Sequence, residues 1–439
     1  MTPAARLQAV LELLTLVDTV PRPADALISG YFRARRYIGS KDRGAVATQT
    51  YAVMRHQARL DWWLRKYTRE PTPRWRLLAY LRLAEGVKIN GIEALCDGGK
   101  FAPAPLDNDE RSFLQRLEGH TLHHPDMPDA ATGECPDWAA EALRLRFGKD
   151  FGREMAAMLT PAPLDLRINP LKITREDAFA ALKSHALAVE LCPYSPWGLR
   201  VAERPALNQI ALLKDGALEI QDEGSQLVAL LVDAKPGERI VDFCAGAGGK
   251  TLAVAAQMRN KGRVIACDVL ANRLKRSTER FRRAGLHNIE VKPLTTEHDP
   301  WVKRHKGGFD RVLVDAPCSG TGTWRRNPDA RWRMLGPGLE ALLPLQASIL
   351  ESAARLVKAG GRLVYATCSL LPEENERQIE KFLAAHTDFS LLPVQEAAQN
   401  LPTLPATGPY LALTPAQHGT DGFFAAVMTR SAAPASCPD

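Results

Sequence analysis

Apolar residues recur at helical spacing through the first third of the chain, and the period then changes. Leu7, Val10, Leu11, Leu14 and Val17 mark one amphipathic helix; Ala45, Thr48, Tyr51, Ala52 and Met54 mark the apolar face of another. Helical patterning continues through residues 60–64 and 75–81, with no alternating strand pattern before about residue 130. Residues 101–134, rich in Pro, Asp and His, read as a connecting loop. From residue 137 the pattern is mixed: a helix at Trp138, a strand around residues 164–169, and a helix N-capped by Thr174 with Glu176 and Asp177 in its first turn. Short buried-strand runs follow at residues 239–241, 262–268, 289–291, 312–314 and 363–365. Strands alternating with helical segments predict an α/β fold with a Rossmann-like parallel sheet. Three parts are expected: a helical domain over 1–134, a small α/β subdomain over 135–218, and a Rossmann-like catalytic domain over 219–439.

In such sheets ligands bind beyond the carboxyl ends of the strands, so the residues that end these runs carry the candidate chemistry. The first run leads through Asp242 and Phe243 into Cys244, Ala245, Gly246, Ala247, Gly248, Gly249, Lys250 and Thr251. Its glycines let the backbone turn sharply and approach a ligand. The second run ends in Asp268, about 20 residues past the loop, where an acid reads a ribose diol. A dinucleotide loop would follow G-x-G-x-x-G, and a phosphate loop ending in Gly249-Lys250-Thr251 would need glycine at position 244. S-adenosyl-L-methionine fits better. Residues 244–250 would line it, with Lys250 on its carboxylate, Asp268 on its ribose and Arg273 supporting the loop. Two further strand ends carry thiols: Asp315-Ala316-Pro317-Cys318-Ser319-Gly320 and Ala366-Thr367-Cys368-Ser369. That pairing points to covalent chemistry on an acceptor beside the cofactor.

These segments, together with Gln221-Asp222-Glu223-Gly224-Ser225-Gln226 and Asp421-Gly422-Phe423-Phe424-Ala425, resemble in order the motifs of the RNA cytosine-5 methyltransferases of the Nop2/Sun group. The resemblance spans about residues 137–430. It implies that a thiolate adds to carbon 6 of cytosine so that carbon 5 can accept a methyl group. It implies Cys368 as nucleophile and Cys318 in product release. Asp315, at a strand end beside both thiols and beside the cofactor, suits the group that binds or protonates ring nitrogen 3. In DNA cytosine-5 enzymes the Pro-Cys thiol attacks, which would nominate Cys318. The chain departs from the family at Gly246-Ala247, where Ala-Pro is usual. It also lacks a clear adenine-contacting acid among Thr295, Thr296, Glu297 and Asp299. The helical part resembles NusB, an RNA-binding fold carried by B-type ribosomal members of the family, which favours 16S ribosomal RNA as partner. Transfer RNA, or a catalytically silent RNA-binding relative, are the alternatives. An amino methyltransferase would carry an aromatic in the position of Cys318.

The chain has 439 residues, 45% hydrophobic and 24% charged, the make-up of an ordinary soluble globular protein, and a cytoplasmic monomer is expected. No apolar stretch approaches membrane-spanning length. Eight cysteines without zinc-type pairs fit a reducing compartment, and the spacing of His120, His123, His124 and Cys135 predicts no metal site. The net charge of +7 is clustered. Arg273, Lys275, Arg276, Arg280, Arg282 and Arg283 read as a solvated helix face. Arg325, Arg326, Arg331 and Arg333, interleaved with Trp324 and Trp332 just after Cys318, suit phosphates and unstacked bases.

Overall fold

The computed structural model describes residues 1–185, 187–202, 210–399, 401, 403–405 and 408–432. The chain divides into two units: Met1–Thr160 with Trp324–Gly336, and Pro161–Thr323 with Pro337–Asp439.

The first unit is helical. Helix Pro3–Thr19 starts at Thr2, whose hydroxyl accepts from Ala5 N, and buries Leu7, Val10, Leu13, Leu14 and Val17. Helix Ser40–Arg55 buries Val46, Thr50, Val53 and Met54. Of the stripe expected there, only Met54 is buried, while Ala45 and Thr48 are exposed. The small residues on this helix leave its apolar moment faint, so its orientation is set by tertiary packing. The expected loop over 101–134 contains helix Asn108–Arg116. Asp107 and Glu110 cap it reciprocally, and Phe113 and Leu114 are buried.

Trp324–Gly336 packs within this helical unit, which corrects the expectation of an RNA-facing patch. Trp324 and Arg331 are buried, with the guanidinium 4.9 Å from the indole centroid. Asp329 accepts from Ala24 N at 2.9 Å, and Trp332 Nε1 donates to the Met54 carbonyl at 3.0 Å. Arg333 donates to the Val20 carbonyl at 2.5 Å, and Arg55 to that of Arg325 at 3.0 Å. Burial pulls the Arg331 pKa down to about 10. Indoles and guanidinium stems bury large apolar areas, and here that outweighs their polar ends.

The second unit holds two sheets. The smaller contains β1 (Leu164–Ile168), β2 (Val189–Leu191), β3 (Gly198–Val201) and β4 (Leu218–Ile220), antiparallel in the order β2-β3-β1-β4. Helix Arg175–Ser184 starts at Thr174, whose hydroxyl accepts from Asp177 N. The larger sheet contains β5 (Arg239–Asp242), β6 (Arg263–Asp268), β7 (Ile289–Pro293), β8 (Phe309–Asp315), β9 (Val357–Thr367), β10 (Phe389–Leu392), β11 (Leu411–Leu413) and β12 (Phe423–Arg430). Its order is β10-β12-β9-β8-β5-β6-β7, with β11 beside β12. Strands β5 to β9 are parallel, and β12 enters antiparallel against β9. Strand order reverses at β5, flanked by β6 and β8, which places the ligand crevice at the carboxyl ends of β5, β6, β8 and β9. Val241, Val312, Leu313, Leu363 and Val364 are wholly buried. Each such side chain contributes roughly 1.5–3 kcal/mol, which makes these strands a rigid base for their ends.

Candidate active site

After β5 the chain turns through Gly246 (φ 55°) and Gly248 (φ 79°) into helix Gly249–Gln257. Both angles are left-handed, and a Cβ at Gly248 would also lie 2.5 Å from the Phe281 ring. Gly246 N donates to Asp268 Oδ2 at 2.8 Å, and Leu270 N to Oδ1 at 2.7 Å. Asp268 is thereby fixed at the end of β6, facing the glycine turn. Asp242, which sequence reasoning passed over, accepts from Thr251 Oγ1 at 2.7 Å on Oδ2. Its buried Oδ1 has no hydrogen-bond partner, and burial raises its pKa to about 7. A glycine turn with one orphaned carboxylate oxygen and a fixed acid opposite suits the ammonium and ribose hydroxyls of S-adenosylmethionine.

Lys250 is buried in helix Gly249–Gln257, and its Nζ lies 2.7 Å from Asp315 Oδ2. Burial alone would lower the lysine pKa, but the Asp315 charge and hydrogen bond outweigh it and raise it. The ammonium thus commits one donor to Asp315. Arg273 is exposed on helix Ala271–Arg283, and among the described residues its side chain has no hydrogen-bond or ion-pair partner. Arg280 of the same helix does engage the loop. It donates to the Ala247 carbonyl at 2.5 Å and pairs with Glu219 at 2.8 Å. After β7, Asp299 caps helix Pro300–Arg304 and accepts from both N and Oγ1 of Thr295 at 2.9 Å. These hydrogen bonds hold its pKa down at about 2.

The thiol side is built on neighbouring parallel strands. The register Asp315↔Ala366 sets the two cysteine loops side by side, with Cys318 Sγ 3.4 Å from Cys368 Sγ. That shared hydrogen bond, and then burial, push the Cys318 thiol well up, so Cys318 keeps its hydrogen. Gly322 N donates to the Cys368 carbonyl at 2.9 Å, and Gly422 N to the Gly322 carbonyl at 2.8 Å. A Cβ on Gly322 would lie 2.2 Å from the Gly422 carbonyl oxygen, so the Asp421–Phe423 turn can close on the cysteine loop only through glycine. Cys244 is half-buried and Cys267 fully buried, with both thiols pushed up chiefly by burial. Among the described residues, no group of three or more His, Cys, Asp and Glu could hold a metal.

A strand-switch crevice with a glycine turn facing an acid at the end of the next strand defines the class: a Rossmann-like, S-adenosyl-L-methionine-dependent methyltransferase. The family model described as 16S rRNA methyltransferase RsmB/F matches residues 229–429, and an RsmF/B-like ferredoxin-like domain matches 135–208. The chain is 34% identical over 412 residues to the probable ribosomal RNA small subunit methyltransferase B of Synechocystis, covering 89% of this chain and 92% of the relative. It belongs to the RsmB/F family of ribosomal RNA methyltransferases. A methyltransferase homolog from Pyrococcus horikoshii is similar in structure (29% identity, TM-score 0.59, 70% of this chain and 100% of that one). The P. horikoshii NSun6 structure with SFG shares the fold (21% identity, TM-score 0.59, 67% of this chain and 98% of that one). Among the described residues, no helix is long and apolar enough to cross a membrane.

Proposed function

We propose that this protein methylates carbon 5 of a cytosine in 16S ribosomal RNA through a covalent bond between Cys368 and carbon 6. The observation that carries this reading is the thiol pair, 3.4 Å apart on adjacent strand ends, with the Asp315–Lys250 ion pair ending the same β8 strand. Carbon 5 of cytosine is a weak nucleophile, and thiolate addition at carbon 6 makes it enolate-like. S-adenosylmethionine, when bound, supplies an electrophilic methyl group. A proton from the Lys250–Asp315 pair would pass to ring nitrogen 3 as the thiolate adds, and would return to the pair as carbon 5 takes the methyl group. After methylation a water removes the carbon 5 proton, and Cys368 leaves as a thiolate. Cys318, which retains its hydrogen, donates to that departing sulfur and assists release. Asp268 would take the ribose hydroxyls and Asp242 the cofactor ammonium. The further N–H donors of Lys250 would hold the cofactor carboxylate.

The 16S assignment is supported by the relatives' names and by the helical residues 1–134, which we read as a NusB-like RNA-docking part. Residues 135–218 would guide RNA to the catalytic residues 219–439. Incubation with labelled cofactor and either 16S or transfer RNA, followed by nucleoside mass spectrometry, tests the reading. It expects 5-methylcytidine in 16S RNA. Label confined to transfer RNA, or appearing as N4-methylcytidine, would overturn it.

A further inference from the structure

We propose that Glu374 is a positioning residue: its buried carboxylate ties the loop carrying Cys318 to the loop carrying Cys368 and sets the separation of the two thiols. Oε1 accepts from Ser319 N at 2.8 Å and from Gln346 Nε2 at 2.9 Å. Oε2 accepts from Ser319 Oγ at 2.5 Å and from Ser369 Oγ. The same Gln346 amide donates to the Pro317 carbonyl at 2.9 Å. Both neighbours of Cys318 and the residue after Cys368 therefore converge on one side chain, directly or through Gln346.

That side chain cannot swing away. Tyr365 OH, on β9, donates to the Glu374 carbonyl at 2.8 Å, and the adjoining Asn375 donates to the Ser369 carbonyl at 2.9 Å. Glu374 has no exposed surface and, among the described residues, no ion-pair partner, so these hydrogen bonds offset the cost of burying its carboxylate. A site that only needed filling would be cheaper with an apolar residue. Four donors around two oxygens match a carboxylate, which accepts at every lone pair, and not an amide.

The catalytic consequence rests on the two-thiol reading above; the positioning role does not. Glu374→Gln keeps the volume but turns an N–H group on the serine donors, which should part the loops. The test uses the full-length protein. Cofactor affinity should stay within about 2-fold, because Asp268 and the glycine turn lie on other strand ends. Methyl transfer should lose at least about 10-fold in kcat with KM for RNA within about 3-fold, a split that marks misplacement of reacting groups. The pH profile of Cys318 alkylation by iodoacetamide, read by peptide mass spectrometry without RNA, should move toward that of an ordinary thiol. Cys318 would lose its close hydrogen bond to Cys368 and the nearby Glu374 charge, while the Tyr365 hydroxyl, also titratable and close to it, is unchanged. Ser369→Ala, which removes one donor from the same carboxylate, should move both readouts the same way by a smaller factor, and serves if Glu374→Gln does not fold. A folded variant with unchanged kcat and unchanged alkylation profile would overturn the proposal. A shifted profile in an enzyme whose product is not 5-methylcytidine would keep the positioning role and discard the proposed reaction.

Discussion

The two halves of the strand-end crevice are prepared in opposite ways. On the cofactor side, Gly246, Gly248, Asp242 and Asp268 form a turn that leaves a buried carboxylate oxygen without a partner. On the thiol side, hydrogen bonds converge on Glu374, and Cys318 and Cys368 are partnered with each other. The first half keeps an unpaired acceptor oxygen beside a glycine turn, whereas in the second the two cysteine loops are tied to one carboxylate and the thiols are held in place. Binding free energy should therefore reside mainly in the cofactor half and rate in the thiol half. Substitutions on each side should separate affinity from turnover.

The largest effect expected is on the thiol side. Cys368→Ala should reduce methyl transfer to background, because without the adduct carbon 5 never becomes nucleophilic, while calorimetric affinity for S-adenosylmethionine stays near wild type. Residual transfer above background would move the nucleophile elsewhere. Asp268→Ala should give the converse: a loss of about 1.5–3 kcal/mol in cofactor affinity, the range for a hydrogen bond to a charged group, measured by calorimetry. Unchanged affinity in a folded variant would remove Asp268 from the ribose site.

A smaller effect concerns Asp242, whose pKa is raised from 3.8 to about 7. A carboxyl with a raised folded-state pKa stabilises the fold fully below its unfolded pKa, and that contribution is lost as pH rises through the folded pKa. Without cofactor, the melting temperature should therefore fall between about pH 4 and pH 7, and Asp242→Asn should flatten that part of the curve. If the two melting curves run parallel across this range, Asp242 does not titrate as described.

The smallest expected change is at an exposed arginine, in contrast with a buried one in the second arginine-rich segment. Helix Ala271–Arg283 buries Leu274, Ser277 and Phe281 and leaves Arg276 exposed, so Arg276→Ala should alter stability by no more than about 0.5 kcal/mol. Any loss of RNA affinity should be similar across sequences and diminish at high salt. Arg331→Ala should instead cost about 1–3 kcal/mol in denaturant unfolding, since it empties a buried contact with Trp324. Equal destabilisation by both substitutions would erase the distinction.

What the sequence disclosed follows from how local each signal is. The runs ending at Asp242, Asp268, Asp315 and Thr367 are short, apolar and closed by glycine, acid or cysteine, so both strands and strand-end chemistry could be read directly. Helix Asn108–Arg116 also had a local signal, the Asp107–Glu110 capping box, hidden in a Pro- and His-rich stretch. Helix Ser40–Arg55 carried too few large apolar residues to fix its buried face. Burial of Trp324 and Arg331 was not legible, because aromatic–guanidinium alternation looks the same on a surface or folded inward. Arg280 rather than Arg273 meets the loop because seven positions make nearly two helical turns, and only the later one lies level with Ala247. Glu374 gave no warning, since its partners come from a loop about 55 residues away and from two other segments.

The central claim is that Cys368 forms the bond and Cys318 helps break it. Cys318→Ala should be incubated with 16S ribosomal RNA and S-adenosylmethionine, denatured, digested with nuclease and protease, and its peptides analysed by mass spectrometry. The account predicts a stable protein–RNA species, with a methylated cytidine nucleotide attached to the peptide containing Cys368. The absence of that species in a folded Cys318→Ala protein, together with a trapped nucleotide on Cys318 in Cys368→Ala, would contradict the assignment and reverse the two roles.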